Sequence, residues 1–459
     1  MIEPSRIPIN GSASQGPSKL LVGLWLVVIA LVGLASPALA QDDEGQAVVT
    51  TLRFEDENGE DVFVEGAVII VEGVGEGISD ANGMISVPVP EPGEYTVSID
   101  PTTLPAGVTL RAIDRTSVTA LVELGQNRTV LFALESEAGA AAAAANDTGG
   151  LGRRFAQLTA EGLKQGLYLA MASIGLSLIY GTTGLVNFAH AEMVTWGGLA
   201  TYFFNFYGLA GVAGFLAPLP APFGNGVNLI FAVVLGMIAG GVLGYLLDRT
   251  LFRTLRRQGV GLIAQMVITI GLSIVLRYLF LYFFGGQPRS FRNFSAQQAW
   301  NIGPVDLVPK DIIAMGISVG VLVLIGVLLT GTQMGKAMRA VSDNKDLAES
   351  SGIDVQRVIS TVWIFGAGAA ALGGAFFALD QTKWDFGFRI LLLIFSAVTL
   401  GGLGTAYGAL LGALVIGLVI NLSTIIIDAE LKNMVALLVM VLVLMFRPQG
   451  LLGRAERVG

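Results

Sequence analysis

The residues of this chain best suited to act on a polar substrate are a few hydrophilic side chains within long apolar runs. Asn187, His190 and Glu192 lie close together in the segment Gly181–Glu192, GTTGLVNFAHAE. Arg277 interrupts another apolar run, LSIVLRYLFLYFF. An ionisable side chain inside a membrane span is costly, which makes it a candidate for a substrate path. Two alternatives stay open: His190 packs or caps a helix, and the Arg277 side chain snorkels to the membrane interface.

A second candidate for the substrate path is the glycine-rich segment Gly401–Gly412, GGLGTAYGALLG. Backbone that leaves a helix at membrane depth is tolerated only where protein or a cavity covers it. Transporters use the ends of such broken helices to bind polar substrates. The alternative is that both glycine-rich segments are tight turns at the membrane face. The residues that we select as path candidates are Asn187, His190, Glu192, Arg277, Gly401, Gly402 and Gly404.

Catalysis by this chain is not predicted. The sequence has no cysteine and one histidine, which excludes disulfides, thiolate chemistry and a multi-histidine metal centre. Only His190 and Glu192 form a close acid–base pair, and no nucleophile accompanies them. No G-x-x-x-x-G-K-[ST] loop for nucleotide phosphates is present. We therefore expect no catalytic residue, metal or bound cofactor, and uphill transport would take its energy from another polypeptide.

The segment Met334–Arg357, MGKAMRAVSDNKDLAESSGIDVQR, is a charged island between two apolar runs. Its apolar residues recur at helical intervals, which predicts an amphipathic helix. Ser342–Asp343 are predicted to cap a second, shorter helix. Gly352 is predicted to end that helix in the left-handed conformation, with Ile353 folded back onto Leu347. Such an element has little reason to exist outside the bilayer unless a soluble protein docks on it.

These segments must be positioned by membrane helices. The chain has 459 residues, of which 53% are hydrophobic and 14% charged, whereas soluble domains carry about 25% charged residues. We predict an all-α polytopic bundle of eight or nine transmembrane helices, since each apolar run is near the roughly 20 residues that cross a bilayer. The nine predicted spans are 162–182, 190–207, 227–247, 260–284, 311–331, 358–380, 389–403, 406–427 and 431–447, of which 389–403 is short.

The first third of the chain has a different character. Residues 1–40 have the pattern of a secretory signal peptide, with an uncleaved anchor helix as the alternative. Residues 41–137 contain short runs rich in Val, Ile and Thr separated by turn signals, which predicts an extracytoplasmic β-sandwich domain. Residues 138–152 are an Ala/Gly linker to the transmembrane domain, 153–459. The β region is acidic, with 20 acidic and 4 basic residues over 41–147.

Charge indicates how the spans are oriented. Residues 148–459 hold 21 basic and 14 acidic residues. A start outside the cell followed by nine crossings places the C-terminus in the cytoplasm. The cluster Arg249–Arg257 and the charged island then lie inside, as the positive-inside rule favours. Several other basic residues fall on the extracytoplasmic side, so the two sides differ in how basic residues cluster and not in their total number. We expect a multi-pass protein of the bacterial plasma (inner) membrane.

Several segments resemble a known family. IYGTTGLVNFAHAEMVTWGGLATY, GKAMRAVSDNKDLAESSGIDVQRV, TLGGLGTAYGALLGALVIGLV and LVLMFRPQGLLG are similar to segments of bacterial ABC-transporter permeases for branched-chain amino acids, in the same order. The resemblance covers about 300 of the 459 residues. AMRAVSDN and ESSGID favour the Liv-type permeases over the urea and short-chain-amide permeases, which are the nearest alternative. The β region, GAVIIVEG to YTVSID, resembles carboxypeptidase-regulatory-like sandwich modules, which are not part of the core permease.

The resemblance implies a permease that forms the translocation path with a second related permease in the membrane lipid. Two ATP-binding subunits, which use ATP and magnesium, would dock on one side, and an extracytoplasmic substrate-binding protein would deliver substrate on the other. The resemblance implies no nucleic-acid partner. A passive channel is the alternative that needs no partner. The residues implied to couple to the ATPase are Lys336, Arg339, Asp346, Leu347, Ala348, Glu349 and Gly352.

Overall fold

The computed structural model describes residues 47–55, 61–81, 83–91, 93–110, 116–122, 128–130, 132, 134–136, 150–212, 226–286, 288–289, 291 and 299–453. They belong to two compact units that divide between Arg154 and Phe155. The predicted signal segment, 1–40, and all but the last residues of the predicted linker, 138–152, lie outside the described residues.

The first unit is built of β-strands. Its strands are β1 Ala47–Thr51, β2 Arg53–Glu55, β3 Asp61–Phe63, β4 Val68–Val71, β5 Gly75–Ile78, β6 Met84–Pro88, β7 Gly93–Ile99, β8 Val108–Leu110, β9 Ser117–Val122, β10 Arg128–Val130 and β11 Leu134–Ser136. The two larger sheets have the orders β10-β1-β6 and β5-β4-β7-β9. The pairs β2-β3 and β8-β11 complete the described strands.

Alternating burial gives this unit its own hydrophobic core. In β4 and β6, buried residues alternate with more exposed ones, as expected when one face of a sheet packs inward. Val48, Ile69, Val87 and Val97 come from both larger sheets and belong to one buried cluster. The prediction of β structure is confirmed for this region. Strands β3, β5, β8 and β9 were not predicted, because their short runs carry weak or interrupted alternation.

The second unit is helical. Its helices are α1 Gly150–Thr183, α2 His190–Tyr207, α3 Leu229–Leu247, α4 Arg253–Arg257, α5 Leu262–Phe284, α6 Pro309–Gly331, α7 Gln333–Asp343, α8 Lys345–Ser350, α9 Val355–Phe377, α10 Phe386–Gly401, α11 Ala406–Leu422 and α12 Lys432–Phe446. A π-helical turn, Asp248–Phe252, joins α3 to α4. An unpredicted hairpin, β12 Trp300–Ile302 and β13 Val305–Leu307, precedes α6.

All nine predicted spans fall on helices, and the prediction of a polytopic helical bundle is confirmed. Among the described residues, seven helices are long and apolar enough to cross a membrane: α1, α3 continued through α4, α5, α6, α9, α11 and α12. The two other predicted spans, α2 and α10, do not reach that measure. α10 has 16 residues, and α2 carries polar residues along its length.

Helix α2 is the centre of the bundle. Sixteen of its 18 residues are buried, whereas only 6% of the most apolar part of α12 is buried. A helix that contacts protein on every side need not be hydrophobic, while one that faces lipid must be. The low hydropathy of α2 is therefore a consequence of its central position.

Glycines allow the helices around α2 to approach closely, as small residues do at membrane helix interfaces. A β-carbon added to Gly374 of α9 would come within 1.9 Å of the Val194 carbonyl oxygen of α2. One added to Gly244 of α3 would lie 2.5 Å from the Trp363 carbonyl oxygen of α9. Both backbones are thus in direct contact with a neighbouring helix.

Candidate functional site

A buried ion pair links α2 to α5. Arg277 Nη2 and Nε donate to Glu192 Oε1 at 3.1 and 3.2 Å. Ser273 Oγ, one turn before Arg277, donates to the same oxygen at 2.9 Å. The Glu192 side chain is fully buried, and the Arg277 side chain is 15% exposed. Arg277 therefore lies against a carboxylate inside the bundle, which favours a role there over snorkelling to the membrane interface.

The pair does not use all of the hydrogen-bonding groups of its two charged side chains. Glu192 Oε2 is buried and has no hydrogen-bond partner among the described residues. The Arg277 guanidinium lies over the Phe388 ring of α10, 3.6 Å from its centroid, and that ring is half exposed. A guanidinium donates to carboxylates, and a carboxylate accepts from ammonium groups. Each member of the pair thus keeps hydrogen-bonding capacity that the pair itself does not use.

His190 and Asn187 lie in the interior at the start of α2. His190 Nε2 is 2.9 Å from the Ala172 carbonyl oxygen of α1, and both residues have zero exposure. Asn187 Oδ1 accepts from the Ala189 N–H at 3.1 Å, which orders the turn before α2. These contacts favour the packing and capping role for His190 over a role in the path.

The break between α1 and α2 lies at depth in the bundle. The Phe188 N–H donates to Thr269 Oγ1 at 3.1 Å. Thr269 is seven residues into α5, which corresponds to about 10 Å from the end of that helix. Leu185, Asn187 and Ala189 are all buried. Gly184 is exposed, and Val186 and Phe188 are only partly buried, so the helical bundle covers most but not all of this non-helical backbone.

The break at Gly401, Gly402 and Gly404 has a different position. The carbonyl oxygens of Leu400 and Gly401, at the end of α10, accept from the N–H groups of Leu451 and Leu452 at 2.7 and 2.9 Å. The segment after α12 therefore satisfies carbonyls that a helix end leaves free. Gly402 and Gly404 have φ of 112° and 80°. This break is a turn held by the C-terminal segment.

Two contacts place that turn at the end of the bundle where α7 and α8 lie. A β-carbon on Gly181 would come within 2.9 Å of the Gly404 carbonyl oxygen and 3.2 Å of Ser342 Oγ in α7. Lys345 Nζ donates to the Thr183 carbonyl oxygen at the end of α1 at 3.1 Å. The two glycine-rich segments therefore touch at Gly181 and Gly404, but they continue in different ways. One reaches into the bundle, and the other is a turn next to the charged helices.

The charged island forms two helices, as predicted. Thr332 Oγ1 caps α7 by accepting from the Gly335 N–H at 3.0 Å. Helix α8 is capped by Asn344, whose Oδ1 accepts from the Leu347 N–H at 2.9 Å. The predicted cap at Ser342–Asp343 is wrong, because α7 continues through Asp343 and the first extended residue is Asn344.

The end of α8 agrees with the prediction at Gly352, whereas the contact between Ile353 and Leu347 stays a prediction. Gly352 has φ of 84°, and its N–H donates to the Glu349 carbonyl oxygen at 2.9 Å. The Ile353 N–H donates to the Ala348 carbonyl oxygen at 3.0 Å. This pair of bonds is a Schellman motif. Asp354 then caps α9 by accepting from the Arg357 N–H at 2.9 Å.

The outer face of α7 and α8 is charged. Leu347 is 65% exposed among these polar residues, but Ala348 is buried and so does not present an apolar contact to a partner as expected. Burial lowers the pKa of Lys345, and the nearby Arg256 guanidinium lowers it further. The exposed residues of the predicted coupling set are Lys336, Arg339, Asp346, Leu347, Glu349 and Gly352.

A second buried ion pair was missed by sequence reasoning. Asp248, at the end of α3, is fully buried and pairs with Arg256 of α4. Ser360 Oγ of α9 donates to Asp248 Oδ2 at 2.6 Å. Opposite charges eight residues apart at the end of an apolar run were the available signal. In the same way, Glu192 and Arg277 were selected separately although each is the natural partner of the other.

The helical unit is thus that of a polytopic membrane protein with a buried charge pair and an amphipathic helix pair between spans. A sequence model of the family described as branched-chain amino acid transport system / permease component matches residues 158–444. The chain belongs to this family.

Individual relatives are similar over the same region. The high-affinity branched-chain amino acid transport system permease protein LivH of Escherichia coli (strain K12) is 27% identical over 312 residues, which cover 66% of this chain and 96% of the relative. BraD of Pseudomonas aeruginosa, with the same description, is 27% identical over 311 residues, covering 66% and 97%. The probable branched-chain amino acid transport permease protein LivH of Methanocaldococcus jannaschii is 28% identical over 300 residues, covering 62% and 88%. No solved structure matches the chain.

Proposed function

We propose that this chain is the permease subunit of an ATP-driven importer for branched-chain amino acids. It forms the translocation path with a second related permease, and two ATP-binding subunits supply the energy from ATP and magnesium. An extracytoplasmic binding protein delivers the substrate. The relatives are described as branched-chain amino acid permeases, which supports this substrate class.

The observation that carries the proposal is the pair α7 and α8, inserted between the spans α6 and α9. Charged residues cover its outer face, and Leu347 is a large exposed apolar residue among them. An apolar side chain ringed by charges is typical of a protein contact with a polar rim. The ATPase would grip this surface.

The inner side of this element contacts the parts of the permease that an ATPase must move. Lys345 bonds to the end of α1, and Ser342 lies beside Gly181 and hence close to Gly404. A displacement of α7 would therefore act directly on the break between α10 and α11 and on α1. Helix α1 also carries Ala172, which holds His190 at the start of α2.

The distribution of basic residues supports a cytoplasmic location for α7 and α8. Arg256 lies near Lys345, so the basic cluster Arg249–Arg257 shares one end of the bundle with α7 and α8. Clustered arginines favour the cytoplasm, where ATP is available. The N-terminal β unit and the substrate-binding protein would then lie outside the cell.

The Glu192–Arg277 pair is the proposed point on the path where the zwitterionic head of an amino acid is stabilised. A buried ion pair costs more in desolvation than an apolar pair of similar shape, so its presence needs a reason. Urea or a neutral amide would not need a partner for each charge. This favours amino acids over the urea and amide alternative.

The test is purification of the full chain with the ATPase and second permease encoded beside it. Leu347→Arg should abolish recovery of the ATPase and ATP-dependent leucine uptake into proteoliposomes. The matched control is Ile426→Arg, because Ile426 is 89% exposed at the other end of α11 from the Gly404 turn. Failure of the wild-type chain to recover any ATPase, or leucine flux through this chain alone without ATP, would refute the importer and favour a channel. Uptake of urea but not leucine would refute the substrate class.

A further inference from the structure

A deep apolar groove of about 740 Å³ opens between α3, α6, α7 and α9. Nearly all of its surface is contributed by carbon and sulfur atoms. The residues that line it include Met237, Tyr245, Leu328, Met338, Phe365 and Gly368. None of these residues belongs to the charge pair at Glu192 or to the outer face of α7.

The groove is about as long as one leaflet of a bilayer is thick. Its lining extends from Met237 to Tyr245 on α3 and from Val321 to Leu329 on α6. Eight residues of helix correspond to about 12 Å, and half of the hydrocarbon core is about 15 Å. One end is closed by Met334 and Met338 of α7. The groove therefore lies in the leaflet next to the α7 and α8 end.

Small residues and a loosely packed helix create the depth of the groove. Only 17% of the most apolar part of α6 is buried, so α6 stands partly away from α3 and α9. On the floor, a β-carbon added to Gly368 would meet only Met237, at 3.5 Å. In a membrane such a volume would be filled, because the exposed outer side of α6 is apolar and would face lipid chains.

A basic group stands at the α7 end of the groove. Arg249 Nη1 donates to the Tyr245 hydroxyl at 2.7 Å, and Tyr245 lines the groove. Arg249 is exposed. Among the described residues it forms no ion pair, whereas Arg256 in the same cluster is paired with Asp248. A guanidinium has five N–H donors, and Tyr245 takes one of them.

We propose that the groove binds one acyl chain of an anionic phospholipid whose phosphate is held by Arg249. The apolar walls fit the chain, the length fits one leaflet, and the positive charge lies where the headgroup of that leaflet would be. Arginine binds phosphate oxygens through paired N–H donors. Basic pockets between membrane helices on the cytoplasmic side are suited to anionic headgroups.

The experiment is native mass spectrometry of the purified full chain, incubated with equal amounts of phosphatidylglycerol and phosphatidylcholine that carry identical acyl chains. We expect the wild type to retain phosphatidylglycerol in preference. Arg249→Gln should reduce that preference roughly tenfold, because a charge-assisted bond is lost. The matched control is Arg257→Gln, which removes an exposed charge from the same cluster and should change nothing.

Filling the groove should remove the lipid altogether. Gly368→Leu adds volume to its floor and should abolish retention of both lipids. Gly271→Leu adds the same volume on α5, where nothing lies within 4 Å, and should leave retention unchanged. Thermal unfolding of both variants in detergent should stay cooperative, which shows that the bundle is intact.

Three results would overturn the proposal. Equal retention of the two lipids by the wild type would show that Arg249 does not bind the lipid headgroup. Unchanged retention by Gly368→Leu would place the lipid elsewhere. Dimers of the wild type in native mass spectra that Gly368→Leu abolishes would show that a second copy of the chain occupies the groove.

Discussion

The backbone of Gly404 lies against Gly181, so that a β-carbon on Gly181 would come within 2.9 Å of the Gly404 carbonyl oxygen. The same β-carbon would lie 3.2 Å from Ser342 Oγ of α7. Three parts of the chain that are far apart in sequence therefore meet at one glycine. They are the end of α1, the turn before α11 and the helix to which the ATPase is proposed to bind.

Gly181→Ala should disturb this contact without preventing assembly. The added methyl group must push apart the Gly404 backbone and α7, and overpacking of this kind costs about 1–3 kcal/mol. We expect ATP-dependent transport to fall several-fold while the ATPase still co-purifies. Uptake and ATPase activity measured in proteoliposomes check this. Gly271→Ala, which meets nothing within 4 Å, is the control, and equal uptake by both variants would contradict the coupling role of Gly181.

Arg277→Leu should be strongly destabilising, because it leaves the Glu192 carboxylate buried without its charged partner. Removing one member of a buried ion pair costs about 3–5 kcal/mol. The thermal midpoint in detergent should fall, and adding Glu192→Gln should restore most of it. Arg389→Leu breaks the Arg389–Asp385 pair, in which the arginine is 62% exposed, and should cost less than about 1 kcal/mol. Equal losses for the two arginines would show that burial does not matter at Glu192.

Asn344→Ala should loosen α8 by removing the side chain that caps it. Loss of a cap typically costs about 1 kcal/mol. Amide hydrogen exchange should become faster at Leu347 and its neighbours, and recovery of the ATPase should decrease. Ser342→Ala is the control, since Ser342 lies inside α7 and does not cap α8. If the serine variant exchanges faster instead, Ser342 caps α8, as the sequence predicted.

Gly450→Val should release the C-terminal segment from the end of α10. Gly450 has φ of 77°, which a β-branched residue does not adopt readily. A β-carbon there would also lie 2.7 Å from the Thr399 carbonyl oxygen. We expect the Leu451 and Leu452 amides to exchange faster and transport to decrease. Unchanged exchange at both amides would show that the segment tolerates the side chain.

Deletion of residues 47–135, with residues 1–46 retained, should leave ATP-coupled transport at least partly active. The β unit has its own buried cluster, and the helical unit carries all the residues proposed for the path and for coupling. Leucine uptake by correctly inserted protein is the measurement. Complete loss of uptake would make the β unit a working part of the transporter.

The helices of this protein and several of their ends could be predicted from the sequence alone, because they depend on local chemistry. Long apolar runs fold as helices because membrane spans satisfy their own backbone, and all nine runs are helical. The island between α6 and α9 could be predicted because helical spacing and a terminal glycine act within a few residues. Gly352 ends α8 in the left-handed conformation that its position in the sequence predicts.

Only the tertiary structure shows the features that depend on contacts between segments far apart in the sequence. Glu192 and Arg277 are 85 residues apart in the chain, and only the packing of α2 against α5 makes them partners. The similar glycine signals at 181–184 and 401–404 could not reveal that only the first leads into the bundle. Hydropathy placed α2 among the spans but not at the centre, because burial among helices removes the need for apolar side chains. Contact between distant segments supplies this information, and no local pattern contains it.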